Sequence, residues 1–258
     1  MRGRILDLAL AEPELSPREL AVRFTDRERY FVSEASVYRL LAEHDLIASP
    51  AFLVVKAADE FHTKTAAPGQ LWQTDFTYLK VTGWGWFYPS TVLDDFSRYV
   101  IAWKLRTTMA ARDVTDTLEL ALEASGRSEA RVRHRPRLLS DNGPGFIADE
   151  LARWLAARGM EHIHGAPCHP QTQGKIERWH QTLKNRILLE HHYLPGELEA
   201  QVAAFVDHYN HRRVHESRDN LTPADVYLGR GQAILQERQR IKHQTIQQRR
   251  LLHHSQAA

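Results

Sequence analysis

The chain has 258 residues, 43% of them hydrophobic and 26% charged, with a net charge of only +2. That balance excludes a disordered chain and leaves enough apolar residues for a sizeable core. A single cysteine, Cys168, excludes a disulfide framework and makes a reducing cytosol the default compartment. No run of residues approaches the ~18 apolar positions of a membrane span, and no signal peptide opens the chain.

Residues 1–48 read as a helical unit. "ILDLALAE" is apolar at helical spacing. "SPREL" places Ser16 at an N-cap, Pro17 at the first helical position and Glu19 three residues after Ser16, which is a capping box. A further helix starts near Ser33, with Val37, Leu40 and Leu41 on one face. Three short helices so closely spaced suit a helix-turn-helix-like unit, with Ser36 and Arg39 as the outward, DNA-facing residues. Residues 49–70 lose periodicity and read as a linker.

From residue 71 the pattern changes to strands. "LWQTDFTYLKV" is rich in residues that fit a pleated surface. "WFYPSTVLDD" and "YVIAWKL" follow after short turns and predict an antiparallel meander. Next come a helix over 111–125, a short apolar strand ending at Asp141-Asn142-Gly143, a helix over 147–158, a brief strand at 161–165 and a helix after the loop "CHPQTQG". The order predicts an α/β fold, a mixed sheet covered by helices. The Gln- and Arg-rich segment from about residue 229 predicts a basic helical tail, either solvated or an extension that contacts DNA. It carries five Lys or Arg against one Glu between Glu237 and His254.

Three acids stand apart from the solvated majority. Asp75 sits in mid-strand, where Asp is disfavoured. Asp141 lies just past the end of a sheet strand, where α/β proteins place their sites. Glu177 opens the late helix among Lys175, Arg178 and Lys184, and 35 residues separate it from Asp141. Convergent carboxylates suit hard divalent cations, which stabilise both oxygens of an in-line phosphoryl displacement. Asp94 and Asp95 instead close a hairpin and read as structural. Fifteen histidines show no zinc spacing with cysteine. His169 and His180 flank the acids as DNA-facing or structural residues. On the late helix, Glu177, Gln181 and Lys184 share one face, beside an apolar stripe of Ile176, Trp179, Leu183 and Ile187.

"WQTDFTYL", "SDNGPGF", "HPQTQGKIERWHQTLK" and "YNHRRVHESRDNLTPADVY", in that order, resemble the core of retroviral-integrase-like DDE transposases. The likeness is nearest to insertion sequences of the IS-three group and covers residues 70–228. It implies an RNase H-like catalytic core over 71–228 and a basic tail over 229–258. It implies that Asp75, Asp141 and Glu177 are catalytic and bind metal, as two Mg²⁺ or Mn²⁺ ions. It also implies donor 3′-end cleavage and strand transfer on DNA by a homo-oligomer in the bacterial cytoplasm, at the nucleoid. Lys175, Arg178, Gln181, Lys184 and Arg39 are the expected DNA contacts. The family's end-binding helices often lie in an upstream frame, which implies a second-frame product with an upstream partner or fusion. A nuclease of the same fold that lacks strand transfer and a domesticated DNA-binding regulator are the competing readings.

Overall fold

Strand β1 (Leu71–Phe76) alternates its side chains between the two faces of a sheet, sending Trp72 to one side and Gln73 to the other. The computed structural model describes residues 1–47, 65–127, 135–165, 173–189 and 191–257. Cys168 and His169 and most of the expected linker lie outside these. The chain clusters into two compact units. One comprises Met1–Lys56, Arg213–Leu221 and Leu228–Ala258, the other Ala57–Arg212 and Thr222–Tyr227.

The second unit is built on a mixed sheet. After β1 come β2 (Leu79–Val81), β3 (Gly85–Asp94), β4 (Val100–Arg106), β5 (Arg137–Ser140) and β6 (His162–His164). β3 is antiparallel to β1, β2 and β4, and β5 is parallel to both β1 and β6. The single long strand expected over 71–81 is divided into β1 and β2. Thr77 donates its N–H to the Pro89 carbonyl at 3.1 Å, but Pro89 has no N–H to return, so the ladder is interrupted there.

Helices α4 (Ala111–Ala124) and α5 (Asp149–Ala157) cover one face and bury Trp72, Val92, Leu118, Leu138 and Leu151. The other face is covered by α6 (Gly174–Ile187) and α7 (Pro195–His211). There the predicted stripe of Ile176, Trp179, Leu183 and Ile187 packs on Leu79, Val81, Leu93 and Val100. Burial of four such side chains contributes roughly 1.5–3 kcal/mol each, which fixes the face α6 presents. Asn210 adds a polar tie, accepting from Val100 N–H and donating to its carbonyl, both at 2.9 Å. A short helix, α8 (Pro223–Tyr227), completes this unit.

The first unit contains α1 (Arg2–Ala11), α2 (Pro17–Glu28) and α3 (Glu34–Glu43). The capping box forms as the sequence predicts: Ser16 Oγ accepts from Glu19 N–H, and Glu19 accepts from Ser16 N–H at 2.9 Å. Val37, Leu40 and Leu41 are buried against Phe24 and Leu20, leaving Ser36 and Arg39 exposed. The C-terminal segment is helical over α9 (Gly231–Ala257) and joins this unit. Arg238 makes a forked pair with Asp26, at 2.7 and 2.9 Å, and Arg249 donates to the Phe31 carbonyl at 2.8 Å. Thr245 Oγ1 accepts from Phe31 N–H at 3.0 Å. Helix α9 therefore grips the turn that joins α2 to α3.

Candidate carboxylate site

Asp75, Asp141 and Glu177 reach one region from three elements: β1, the loop after β5, and the first turn of α6. β1 and β5 are parallel neighbours, so the carboxyl end of β5 lies beside the end of β1 that carries Asp75. Asp75 is half-buried. Its Oδ1 accepts from Phe76 N–H at 2.8 Å, and its Oδ2 lies 3.4 Å from His180 Nδ1.

Asp141 is exposed, and its Oδ1 accepts from Gly143 N–H at 2.9 Å. Two glycines make this loop possible. A Cβ on Gly143 would sit 3.0 Å from Asp141 Oδ1, crowding the carboxylate. A Cβ on Gly145 would come within 2.5 Å of the Met109 carbonyl, so no side chain fits that close approach to the start of α4.

Glu177 is held by the residues around it. Gln73, two positions before Asp75 and on the same strand face, receives the Ile176 N–H on its Oε1 at 3.0 Å. Gln73 Nε2 donates to Asp95 Oδ1 at 2.8 Å. Lys175 Nζ donates to Asp95 Oδ2 at 2.6 Å and to the Asp95 carbonyl at 3.0 Å. One buried network thus pins the start of α6 to the strand that carries Asp75. Lys175, expected at a DNA phosphate, has its ammonium committed to Asp95, because a buried carboxylate requires a paired cation. The sequence offered one signal of this: Gln73 and Asp75 share the period-2 face of β1.

The carboxyl groups sense one another. Partial burial, then the charge of Asp75, pushes the Asp141 carboxyl above its ordinary range, against the Gly143 hydrogen bond. Burial and Asp75 also raise Glu177, while His180 pulls it down. Both residues are exposed, so the raising is modest. His180, placed by the sequence beside the site, is 6% exposed and is, among the described residues, the imidazole brought against Asp75. Among the described residues, no group of three or more His, Cys, Asp or Glu is gathered closely enough to hold a metal ion. Asp75 is therefore the member that the other two share.

The remaining expected contacts diverge. Arg178 and Gln181 are exposed on α6, Gln181 donating to Asn185 Oδ1 at 2.7 Å. Lys184 lies 3.6 Å over the Tyr78 ring. Arg39 is exposed on α3, in the other unit, with its Nε donating to the Ala35 carbonyl at 3.1 Å.

A mixed sheet with helices on both faces defines an RNase H-like core. Residues 65–170 and 158–223 match two family profiles, each described as an integrase core domain. The transposase for insertion sequence element IS629 of Shigella sonnei is 28% identical over 175 residues, covering 67% of this chain and 57% of that protein. The putative transposase for IS986/IS6110 of Mycobacterium tuberculosis (strain CDC 1551 / Oshkosh) is 25% identical over 224 residues, covering 78% of this chain and 77% of that protein. In three dimensions, the HTLV-2 integrase catalytic core domain in complex with magnesium (trimeric form) aligns with a TM-score of 0.51 at 20% identity. That alignment covers 64% of this chain and 99% of the HTLV-2 domain. The chain carries an integrase core domain over residues 65–223, matched in two parts, and is similar across it to insertion-sequence transposases. It spans a little over half the length, 57%, of the IS629 transposase.

Proposed function

We propose that this chain catalyses phosphoryl transfer on DNA in insertion-sequence transposition. The observation that carries the reading is the placement of Asp75 on β1, Asp141 just past the parallel neighbour β5, and Glu177 in the first turn of α6, which Gln73 ties to β1. In the first step a water oxygen bonds the phosphorus that joins the donor 3′ end to flanking DNA, and the bond from that phosphorus to the donor 3′ oxygen breaks. The phosphate stays on the 5′ end of the flanking strand, and the 3′ oxygen takes up a proton as the water gives one to solvent or base. In the second, the freed 3′-hydroxyl oxygen bonds a target phosphorus, the target's own 3′ oxygen leaves, and the hydroxyl proton passes to solvent or base.

As the side chains stand, these acids are not gathered closely enough to hold an ion, but their donor chemistry suits a divalent metal. All three groups offer hard oxygen, and burial with the charge of Asp75 disfavours the ionised forms of Asp141 and Glu177, a penalty that a cation removes. Asp75, Asp141 and Glu177 would hold Mg²⁺ or Mn²⁺, in the two-ion form expected of the family. When bound, such ions neutralise charge on the attacking and leaving oxygens. The chain's own residues do the rest. Gln73 and Asp95 orient α6 so that Glu177 faces Asp75. His180 holds the rotamer of Asp75. Arg178, Gln181 and Lys184 present donors to the phosphates of the bound strand.

Arg39 on α3 is proposed to touch the element end, and the two DNA partners, end and target, call for an oligomer with at least two sites. The HTLV-2 relative is described in a trimeric form. Among the described residues no helix is long and apolar enough to cross a membrane. A place beside bacterial DNA in the cytoplasm accords with that. An upstream-frame partner or fusion remains part of the proposal.

The test is a donor-end assay with Mg²⁺ or Mn²⁺ that scores joined DNA separately from nicks. Asp75→Asn, Asp141→Asn and Glu177→Gln should each lower joining by ~10³-fold or more, the equivalent of several kcal/mol of transition-state stabilisation. Full joining by any one of them removes it from the triad. Nicks without joined product in the wild type would leave a nuclease.

A further inference from the structure

The outer face of the β2–β3 hairpin carries aromatic rings that the fold does not use. Its inner face is conventional: Leu79 and Val81 are buried, with Phe87 packed against the α6–α7 cluster. The outer face presents Tyr78, 56% exposed, and Trp86, 51% exposed, with Trp84 in the adjoining turn at 63%. Lys80 and Trp86 are cross-strand partners, so their side chains leave the same face. Tyr78 meets Trp86 edge-on, with ring centroids 5.5 Å apart and planes at 77°. Two lysines attend these rings: Lys80 Nζ lies 5.9 Å from the Trp86 centroid, and Lys184 Nζ 3.6 Å from the Tyr78 centroid.

Large exposed rings are costly to solvate and mark a surface with a partner. Trp86 is fixed in β3 by its pairing with Lys80, and Trp86 and Tyr78 each have an ammonium group at the ring, which suits a ligand with both flat faces and negative charge. The patch also shares its elements with the carboxylate site. Tyr78 follows Asp75 by three residues, and Lys184 follows Glu177 by seven along the same helix. Seven helical residues span ~10 Å.

We propose that Tyr78, Trp86 and Trp84, with Lys80 and Lys184, form a stacking platform for unpaired DNA bases beside the reacting phosphate. The rings take base faces, and the lysines take the phosphates between them. This rests on the transposase reading for its place in a reaction, but the binding itself does not require catalysis. A strand frayed at the element end, or flipped from the target, would be held there while its phosphate lies at the carboxylates.

The experiment titrates the full chain with a 20-nucleotide oligothymidylate in EDTA, following anisotropy of the labelled DNA at several salt concentrations. Trp86→Ala and Tyr78→Ala should each weaken binding by about tenfold, the effect of removing one base–aromatic stack. Trp86→Phe, which keeps a π face, should recover most of the loss. Lys80→Gln should lower the slope of log affinity against log salt by ~0.7, as one phosphate contact on a single strand does, whereas Trp86→Ala should leave the slope alone. Thermal melting checks that each variant folds.

Wild-type affinity in both alanine variants overturns the proposal. So does a Trp86→Phe variant as weak as Trp86→Ala. Unchanged DNA affinity with a smaller sedimentation coefficient in Trp86→Ala would make the surface an interface between copies, and equally overturns it. Asp75→Asn should bind the oligonucleotide as the wild type does. Failure of joining in the donor-end assay with platform binding intact would therefore sink the transposase reading and leave this inference standing.

Discussion

One pair of acids at the end of β3 and a second group drawn from β1, the loop after β5 and α6 are treated by the fold in opposite ways. Asp94 and Asp95 are essentially buried, and each is saturated with donors. Asp94 receives Gly69 N–H at 2.6 Å, Ser97 N–H at 2.8 Å and Ser97 Oγ–H at 2.7 Å. Asp95 receives Thr65 Oγ1–H at 2.6 Å, Gln73 Nε2–H at 2.8 Å and Lys175 Nζ at 2.6 Å. Asp141 has one backbone donor, and Glu177 receives no hydrogen bond from a described residue. The buried pair is the scaffold, and the under-donated acids are kept short of partners so that something else satisfies them. Carboxylates aimed at one another with few donors mark a site, whereas carboxylates wrapped in donors mark a joint.

The largest test of that contrast is Asp95→Ala. It removes the buried carboxylate that Lys175 and Gln73 both bind. Urea unfolding should show a loss of ~3–5 kcal/mol, the cost of breaking a buried pair from one side. Asp75→Asn in the same measurement should change stability little, although it abolishes joining. If Asp95→Ala unfolds like the wild type, the distinction between scaffold and site acids fails.

Gln73→Leu is a narrower cut. It keeps the volume near that of glutamine but leaves the Ile176 N–H and one Asp95 oxygen without their partner. The expected loss is ~1–3 kcal/mol, that of an unsatisfied buried group. Joining should fall further than stability explains at a temperature where the variant is fully folded, because α6 no longer holds Glu177 toward Asp75. Equal oligonucleotide binding by this variant would show that the loss is one of alignment.

These joints explain what the sequence did and did not make legible. Strand and helix order, the Ser16 capping box and the apolar stripe of α6 were all written in local periodicity. The spacing of Asp141 and Glu177 was legible through family resemblance. The Gln73–Asp95–Lys175 network joins residues up to 103 positions apart, and no local pattern encodes such a pairing. Lys175 looked like any lysine beside an acid, so it read as a phosphate contact. The division of β1 from β2 had a visible cause in Pro89, but only the register shows that Pro89 falls opposite Thr77. Likewise the basic tail read as a solvated helix or a DNA-contacting extension. Its grip on the α2–α3 turn depends on Arg238 meeting Asp26, 212 residues earlier.

The smallest effect is the most specific to the site. Burial and the charge of Asp75 raise the Asp141 and Glu177 carboxyls, so each prefers its proton in the folded chain more than in the unfolded one. Their contribution to stability is present below the ordinary carboxylate range and is lost as pH rises through the raised values. His162 acts in the opposite direction. Burial beside His164 lowers it to about 4, so its contribution falls as pH drops from the ordinary histidine value toward 4. A single melting curve mixes the two, but the difference between wild type and Glu177→Gln isolates the carboxylate. Without metal, Glu177→Gln should melt about 1–2 °C higher at pH 7, a small shift because the group is partly solvated. The gain should vanish near pH 4, where Glu177 holds its proton. Addition of Mg²⁺ or Mn²⁺ at pH 7 should reverse the order, because only the wild type then has its full set of carboxylates to share with a cation. A Glu177→Gln variant that melts like the wild type at both pH values, with and without metal, would place Glu177 among the ordinary solvated acids and remove it from the site.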